Sequence, residues 1–318
     1  MSGFEKSGLH RSVLLDEVVA IVAPRPDEVI VDATLGLGGH AEAVLESQPA
    51  ASVIGLDQDE VAIGLAGQRL ERFGSRFVAV RTNFSELKSV IRDLGHERVD
   101  AVVADLGVSS MQFDEGERGF SFRTDAPLDM RMDRDSDLPT AADLLAELSE
   151  EQIADIIYRY GEERRSRKIA RWIVQRRDEG RPVTTTMDLA NLVERAIGRD
   201  TRDRIHPATR TFQALRIAVN RELDILGPFI VDAVESLRPG GRLAVITFHS
   251  LEDRIVKHTM QRLAGKCICP PRQPVCTCGA AKKVEVLTRK PILPSEKEIE
   301  ENPRSRSAKL RACRKLAE

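Results

Sequence analysis

One ten-residue segment near the N-terminus constrains this chain more than any other. It reads VDATLGLGGH over residues 31–40 and joins an apolar strand to a predicted helix. Glycine lacks a Cβ, so a turn of this kind can tighten and let a ligand touch the backbone. The amides at the start of the following helix suit a polar or anionic ligand. The segment therefore predicts a nucleotide-type cofactor site in an enzyme.

Two cofactor classes fit this turn. Gly36, Gly38 and Ala41 satisfy the dinucleotide pattern, which alone is a weak signal and also suits a dehydrogenase. Asp32, however, ends the strand before the turn, where a carboxylate can meet the cationic methionine end of S-adenosylmethionine. The late turn-and-strand segment Leu237–Leu243 is also typical of class I methyltransferases. The residues favour S-adenosylmethionine over a dinucleotide.

Length and composition place the chain among globular proteins. It has 318 residues, of which 42% are hydrophobic and 31% charged, and no apolar run approaches a membrane span. The five cysteines do not form a disulfide scaffold, and the first residues lack the apolar core of a signal peptide. We expect a cytoplasmic protein without a membrane partner.

Strands and helices alternate along the first hundred residues, which predicts an α/β fold with a parallel sheet covered on both faces. Four strands are predicted at Val29–Ala33, Ser52–Asp57, Phe77–Arg81 and Val99–Asp105. About a hundred residues of helical pattern follow, too many for a loop. We predict a discontinuous Rossmann-like domain, residues 1–111 and 208–318, and an inserted helical substrate-recognition domain, residues 112–207. Later predictions are helices Phe212–Leu226 and Phe229–Ser236, strand Arg242–Phe248, and an antiparallel pair, Val284–Leu287 and Ala308–Ala312.

Ligands of open α/β sheets bind at the carboxyl ends of the strands, and this rule selects candidate residues. The first strand leads to Gly38, Gly39 and His40. Asp57 ends the second strand 21 residues beyond Gly36, as expected of an acid that binds ribose hydroxyls, and Asp59 is the nearby alternative. Two further candidates are Phe84 after the third strand, suited to an adenine face, and Asp105 at the end of the fourth.

Several longer motifs resemble one family, the bacterial 16S ribosomal RNA cytosine-N4 methyltransferases of the MraW type. The matching segments are His10–Leu15, Asp32–His40, Asp105–Ser110, Arg118–Phe122, Pro127–Met132, Tyr160–Glu163, His206–Arg216 and Phe248–Arg254. The resemblance implies a class I fold and methyl transfer from S-adenosylmethionine to N4 of a decoding-centre cytosine in the small ribosomal subunit. It also implies that Gln112 joins the six strand-end cofactor residues. Other RNA or protein substrates, or an assembly factor with a vestigial pocket, are the alternatives.

The catalytic prediction is Asp105 together with Ser109 in the turn that follows. Many amino-methyltransferases carry Asp/Asn-Pro-Pro-aromatic at this place, whereas this chain has Asp105-Leu106-Gly107-Val108. We therefore expect Asp105 and the backbone carbonyls after it to orient the amine. The base-stacking candidates are Phe120, Phe122 and His249.

Local charge points to nucleic acid although the net charge is only −2. Nine basic residues and four acids lie between Arg159 and Arg181, a pattern that suits RNA phosphates or a solvated helix face. Arg131, Arg210 and Arg216 are the predicted RNA contacts, with structural salt bridges as the equal alternative. A separate group of cysteines, with one residue between the two of each pair, is compatible with zinc or with a loop of reduced thiols. The loop without metal is favoured because structural zinc pairs usually have wider gaps. That group is Cys267, Cys269, Cys276 and Cys278.

Overall fold

A computed structural model of the chain describes residues 12–107, 116–199, 206–267, 269, 273, 277 and 280–317. The strands are β1 (Val29–Asp32), β2 (Ser52–Asp57), β3 (Phe77–Arg81), β4 (Val99–Asp105), β5 (Leu237–Thr247), β6 (Val284–Val286) and β7 (Lys309–Lys315). They form one sheet in the order β3-β2-β1-β4-β5-β7-β6. β1 to β5 run parallel, and β7 runs antiparallel to β5 and β6. The predicted α/β fold is confirmed, including the late antiparallel pair.

The described residues contain twelve helices. They are α1 (Leu15–Val22), α2 (Gly39–Ser47), α3 (Glu60–Leu70), α4 (Leu87–Asp93), α5 (Ala141–Glu147), α6 (Glu150–Gly161), α7 (Ser166–Asp178), α8 (Thr186–Ile197), α9 (Thr209–Asn220), α10 (Glu222–Ser236), α11 (Ser250–Leu263) and α12 (Glu296–Glu301). Among the described residues, no helix has the length and apolar character that a membrane crossing requires.

Alternate strand residues bury the two faces of the sheet in separate cores. Val31 and Val102 belong to a core that includes residues of α4, α10 and α11. Ile30 and Val103 belong to another core, built with α1, α2 and α3. Because both faces are covered, the central strands β1 and β4 are largely apolar and buried, as parallel strands usually are. Their carboxyl ends then form one edge at which polar side chains can gather.

Several predicted boundaries differ from the structure. The single helix predicted over Phe212–Leu226 is two helices, since Arg221 adopts a left-handed conformation with φ 52° and its N–H donates to the Ile217 carbonyl. α11 was not predicted. β5 begins earlier than predicted because Leu237 already pairs with Val99 of β4. The pairing is then irregular until Arg242, and Gly240 in this irregular part has φ 83°.

The chain divides into two compact units, residues 1–107 with 224–318, and residues 108–223. The second unit is larger than the predicted insertion because α9 packs within it. Gly161 at the end of α6 allows the close approach, since a Cβ there would lie 2.5 Å from the Arg210 carbonyl oxygen. The Gln213 amide nitrogen also donates to the Tyr160 carbonyl at 3.0 Å.

The second unit is helical, as predicted. α5 and α6 both begin with reciprocal capping boxes, which satisfy amides that a helix start leaves without partners. The loop before α5 is held by Asn220, which accepts the Met132 N–H and donates to the Met130 carbonyl, both at 2.8 Å. Met130 itself is buried with φ 64°, so this clamp holds a conformation that non-glycine residues rarely adopt.

Candidate active site

Asp32 is the last residue of β1 and lies at the carboxyl edge of the sheet. Its side chain is 2% exposed, and one oxygen accepts the Thr34 N–H at 3.3 Å. Burial raises the pKa of Asp32 to about 7, and the nearby Asp57 carboxyl adds to the increase. Near neutral pH this carboxyl therefore exists in both protonation states, so a nearby cation can control its charge.

The glycine turn follows Asp32 and leads into α2. Gly36 has φ 50° and Gly38 has φ 77°, conformations that favour glycine. A Cβ at Gly36 would meet no atom within 4 Å, so open space adjoins this backbone. A Cβ at Gly38 would lie 2.9 Å from Leu70 Cδ1, so that glycine is needed for packing against α3.

Asp57 is the last residue of β2, and its side chain accepts a hydrogen bond from the glycine turn. Its Oδ2 accepts the Gly36 N–H at 2.8 Å, and its Oδ1 accepts the Asp59 N–H at 2.9 Å. Each carboxylate oxygen can accept a second hydrogen bond, so Asp57 retains capacity for ligand hydroxyls. Asp59, the alternative ribose acid, caps α3 by accepting the Val61 N–H at 3.0 Å.

Asp105 ends β4, next to β1 in the sheet. Its backbone N–H donates to Thr34 Oγ1 at 2.6 Å, which ties the strand end to the glycine turn. Burial raises the pKa of Asp105 well above its usual range, and the carboxyls of Asp32 and Glu252 raise it further. Asp32 and Glu252 thus lie close enough to Asp105 to disfavour its ionisation.

The edge of the sheet carries carboxyl oxygens that a cationic ligand would stabilise in the ionised form. Among the described residues, Asp32 Oδ2 and Asp105 Oδ1 are buried and have no hydrogen-bond partner. Buried polar atoms are ordinarily paired, so two such oxygens at one edge indicate a missing ligand. A cationic group beside open glycine backbone would satisfy both. These residues therefore fit the cationic methionine end of S-adenosylmethionine.

Comparison with known proteins assigns the chain to a family. A family model described as the MraW methylase family matches residues 7–316. The chain belongs to this family. It is therefore a methyltransferase, and the predicted cofactor, S-adenosylmethionine, and class I fold are confirmed in place of the dehydrogenase alternative.

Relatives of this family member are similar over nearly their whole length. A protein of Symbiobacterium thermophilum is 54% identical over 309 residues, covering 96% of both chains. One of Brevibacillus brevis is 51% identical over 309 residues, covering 96% of this chain and 98% of the relative. Both are named "Ribosomal RNA small subunit methyltransferase H". A solved rRNA methylase from Streptococcus thermophilus aligns over 95% of this chain and 94% of its own, with TM-score 0.39 and 13% identity.

The other predicted cofactor residues of this family member lie near the same edge or outside the described part. His40 Nε2 lies 3.0 Å from the Val13 carbonyl, and burial lowers the His40 pKa to about 4, so the ring is neutral and donates there. Phe84 follows β3 and packs edge-to-face on Phe229, with ring centroids 4.8 Å apart. Ser109 and Gln112 lie outside the described residues.

The three predicted RNA-binding arginines have different surroundings within the second unit. Arg131 pairs with both carboxylate oxygens of Asp129, at 2.8 and 3.0 Å. Arg216 pairs in the same way with Glu222, at 2.9 Å for each contact, and is 14% exposed. Arg210 is 59% exposed, and its ion pair among the described residues is a 3.4 Å contact to Glu163. Arg210 alone of the three presents most of its side chain to solvent.

The structure describes some of the residues predicted to stack on a base and some of the cysteines. Phe120 is buried, and Phe122 packs on Phe212 with centroids 4.9 Å apart, so both serve the core of the helical unit. Cys267 Sγ accepts the Cys269 N–H at 3.4 Å. Cys276 and Cys278 lie outside the described residues, so the structure does not test a zinc site.

Two residues of the site were not predicted. Thr34 holds the Asp105 backbone, and Glu252 is a third buried acid at this edge whose Oε2 accepts the Phe248 N–H at 2.8 Å. The sequence contains a signal for Glu252. His249 and Glu252 form a capping box at the start of α11, directly after β5.

Proposed function

We propose that this MraW-family methyltransferase transfers a methyl group from S-adenosylmethionine to the exocyclic N4 amine of a decoding-centre (P-site) cytosine in 16S rRNA of the small ribosomal subunit. The observation that carries the proposal is the buried Asp105 Oδ1, which has no hydrogen-bond partner among the described residues. It provides an acceptor at the strand end where class I enzymes bring methyl donor and acceptor together. The names of the relatives support rRNA of the small subunit as the substrate.

The cofactor would be held by residues from four strand ends. Asp57 would accept the ribose hydroxyls, and Phe84 would pack on the adenine. Gly38 and Gly39 would contact the cofactor through their backbone next to the open space at Gly36, while His40 fixes the turn through Val13. The full proposed set is Gly38, Gly39, His40, Asp57, Phe84, Asp105 and Gln112. When bound, S-adenosylmethionine supplies an electrophilic methyl group on a positively charged sulfur.

The exocyclic amine of cytosine is a poor nucleophile because its lone pair is delocalised into the ring. Asp105 would accept an N4–H hydrogen bond at Oδ1 and localise that lone pair on nitrogen. Asp105, ionised beside the cationic cofactor, would take the proton that N4 loses, and S-adenosylmethionine would supply the methyl group. Ser109 is the proposed assisting group, and in-line placement of amine and methyl supplies much of the remaining rate.

The proposed substrate-binding part is the helical insertion, predicted as residues 112–207, with Arg131, Arg210 and Arg216 as proposed RNA contacts. Arg210 is the best placed of these for a phosphate because its side chain is largely exposed. Arg131 and Arg216 would act through the loops that their carboxylate pairs hold. Small ribosomal subunits are assembled in the cytoplasm, and we propose that the protein acts there.

Nucleoside analysis of 16S rRNA tests the proposed function directly. We expect N4-methylcytidine at the decoding centre in cells that contain the protein and its loss when the gene is deleted. Purified protein should restore the modification to subunits from the deleted strain. If the N4-methylcytidine content is the same with and without the protein, the assignment is refuted.

Cofactor binding should depend on pH through Asp32. Its pKa of about 7 in the free protein falls when a cationic ligand binds, because the ligand favours the carboxylate. Affinity should therefore rise as pH increases from 6 toward 8, with proton release on binding below pH 7. Calorimetry of S-adenosylhomocysteine, whose homocysteine end carries an ammonium group, in buffers of different ionisation enthalpy measures that release.

The control is Asp32→Asn, which keeps the shape but cannot ionise. It should bind more weakly at pH 8, release up to one proton fewer near pH 6, and melt no earlier than the wild-type protein, because no buried charge is formed. A wild-type affinity that stays constant between pH 6 and 8 would contradict this role of Asp32.

A further inference from the structure

A basic stripe runs along the outer side of α7 in the helical unit. It comprises Arg164 in the turn before the helix, Arg167, Lys168 and Arg171, together with Trp172; all five residues are exposed. The opposite side of the same helix buries Ile169, Ala170 and Ile173. Helical spacing places the stripe on one face, away from the core of its unit.

The cations of the stripe are not used to hold the fold. Among the described residues, Arg164, Arg167 and Lys168 have no carboxylate partner, and Arg171 has only a 3.7 Å contact with Glu150. The basic residues at the other end of α7 differ. Arg177, for example, donates to the carbonyls of Leu145, Ala146 and Leu148, at 3.2, 2.9 and 2.8 Å. Among the described residues, the start of the helix thus has cations without a carboxylate partner, whereas the cations near its end hold the fold.

Helix stability does not explain the stripe either. The N-terminal end of a helix carries partial positive charge, which favours acids and disfavours cations. α7 has no acid in its first turn, whereas Arg167 and Lys168 lie there. The arrangement therefore lowers the stability of the isolated helix slightly, and an anionic partner would reverse that effect.

Trp172 is a second feature of the stripe. It is the chain's only tryptophan and is 38% exposed beside Arg171. Cations that track a phosphate backbone next to an aromatic ring on which a base can stack are typical of proteins that bind single-stranded nucleic acid. The combination is more specific than positive charge alone.

We propose that the basic stripe is an RNA-docking surface, on which Arg164, Arg167 and Lys168 contact phosphates of 16S rRNA and Trp172 stacks on an unpaired base. The inference rests on the proposed function for its RNA, and it adds a binding surface distinct from the residues that hold the cofactor. Charge complementarity selects RNA as the partner.

The test uses the full-length protein and a protein-free 16S rRNA transcript. Replacing the three cations by glutamine (R164Q/R167Q/K168Q) should weaken binding at least tenfold near 0.1 M salt. It should also reduce the slope of log K against log salt by about 2, since each contact to a single strand contributes about 0.7. Trp172→Ala should weaken binding by about tenfold, and Trp172→Phe should retain most of the affinity.

Fluorescence of the single tryptophan gives a direct readout. Addition of the transcript should quench Trp172 in the wild-type protein and protect it from acrylamide, and the triple variant should show neither effect at the same RNA concentration. The matched control is Arg195→Gln, an exposed arginine on α8, which should change the affinity less than twofold. Thermal melting should show that the triple variant is at least as stable as the wild-type protein.

Three results would overturn the inference. They are an unchanged affinity and salt slope in the triple variant, no wild-type binding to the transcript, and a defect seen only with assembled subunits, which would indicate a protein partner. Formation of N4-methylcytidine by the wild-type protein is scored separately. If it forms while the triple variant binds RNA normally, the docking surface is wrong and the proposed function stands.

Discussion

Replacing Asp105 by asparagine should lower the rate of methyl transfer at least 100-fold. Asparagine has nearly the same shape but cannot ionise, so it cannot accept the proton that N4 loses. General-base contributions of this kind are typically 100- to 10,000-fold. The measurement is single-turnover transfer of labelled methyl to unmethylated small subunits. Because Asp32 and Asp57 remain, the cofactor dissociation constant should change less than tenfold.

The matched control for this variant is Asp59→Asn. Asp59 is also a buried acid near a strand end, but it caps α3, and asparagine is an equally good cap. Its rate should stay within about twofold of the wild-type rate. If Asp105→Asn folds, binds cofactor and turns over normally, then Asp105 is not the proton acceptor.

Replacing Asp57 by alanine should weaken cofactor binding at least about 100-fold. Two effects act together: the ribose hydroxyls lose their charged acceptor, and the Gly36 N–H loses the oxygen that holds the turn at 2.8 Å. Hydrogen bonds to a charged group contribute about 1.5–3 kcal/mol each, and 1.4 kcal/mol corresponds to a factor of ten in affinity. Calorimetric titration with S-adenosylhomocysteine measures the loss.

Asp57→Asn separates the two effects. Its remaining carbonyl oxygen can still accept the Gly36 N–H, so the turn persists while one ribose acceptor is lost. We expect an affinity between those of the wild-type protein and the alanine variant. Equal affinities for all three proteins would show that the ribose is bound elsewhere.

Much of the sheet and its polar edge could be predicted from the chain. Uninterrupted apolar runs predict buried parallel strands, and three of them end in an acid, at Asp32, Asp57 and Asp105. In a parallel sheet those ends share one edge, so local patterns were enough to predict that the acids gather there. The shared burial that raises their pKa values follows from the same geometry.

The remaining features depend on contacts distant in sequence or on unusual backbone. Arg221 ends α9 in a left-handed conformation without a glycine or proline to signal it. Thr34 could not be identified as the partner of Asp105 from spacing, because the two residues are 71 positions apart. Arg131 and Arg216 were equally compatible with phosphate contacts or ion pairs, and the carboxylates beside them are seen only in the fold.

The position of β7 in the sheet determines the order in which the strands can pair during synthesis. It lies between β5 and β6 in the sheet, although it is the last of the seven strands along the chain. During synthesis β6 emerges before any neighbouring strand is available to it, and β5 keeps an open edge until residues 309–315 have appeared. An interrupted chain would therefore expose unpaired strand edges, which promote aggregation. Synthesis of residues 309–315 is therefore the step that completes the sheet.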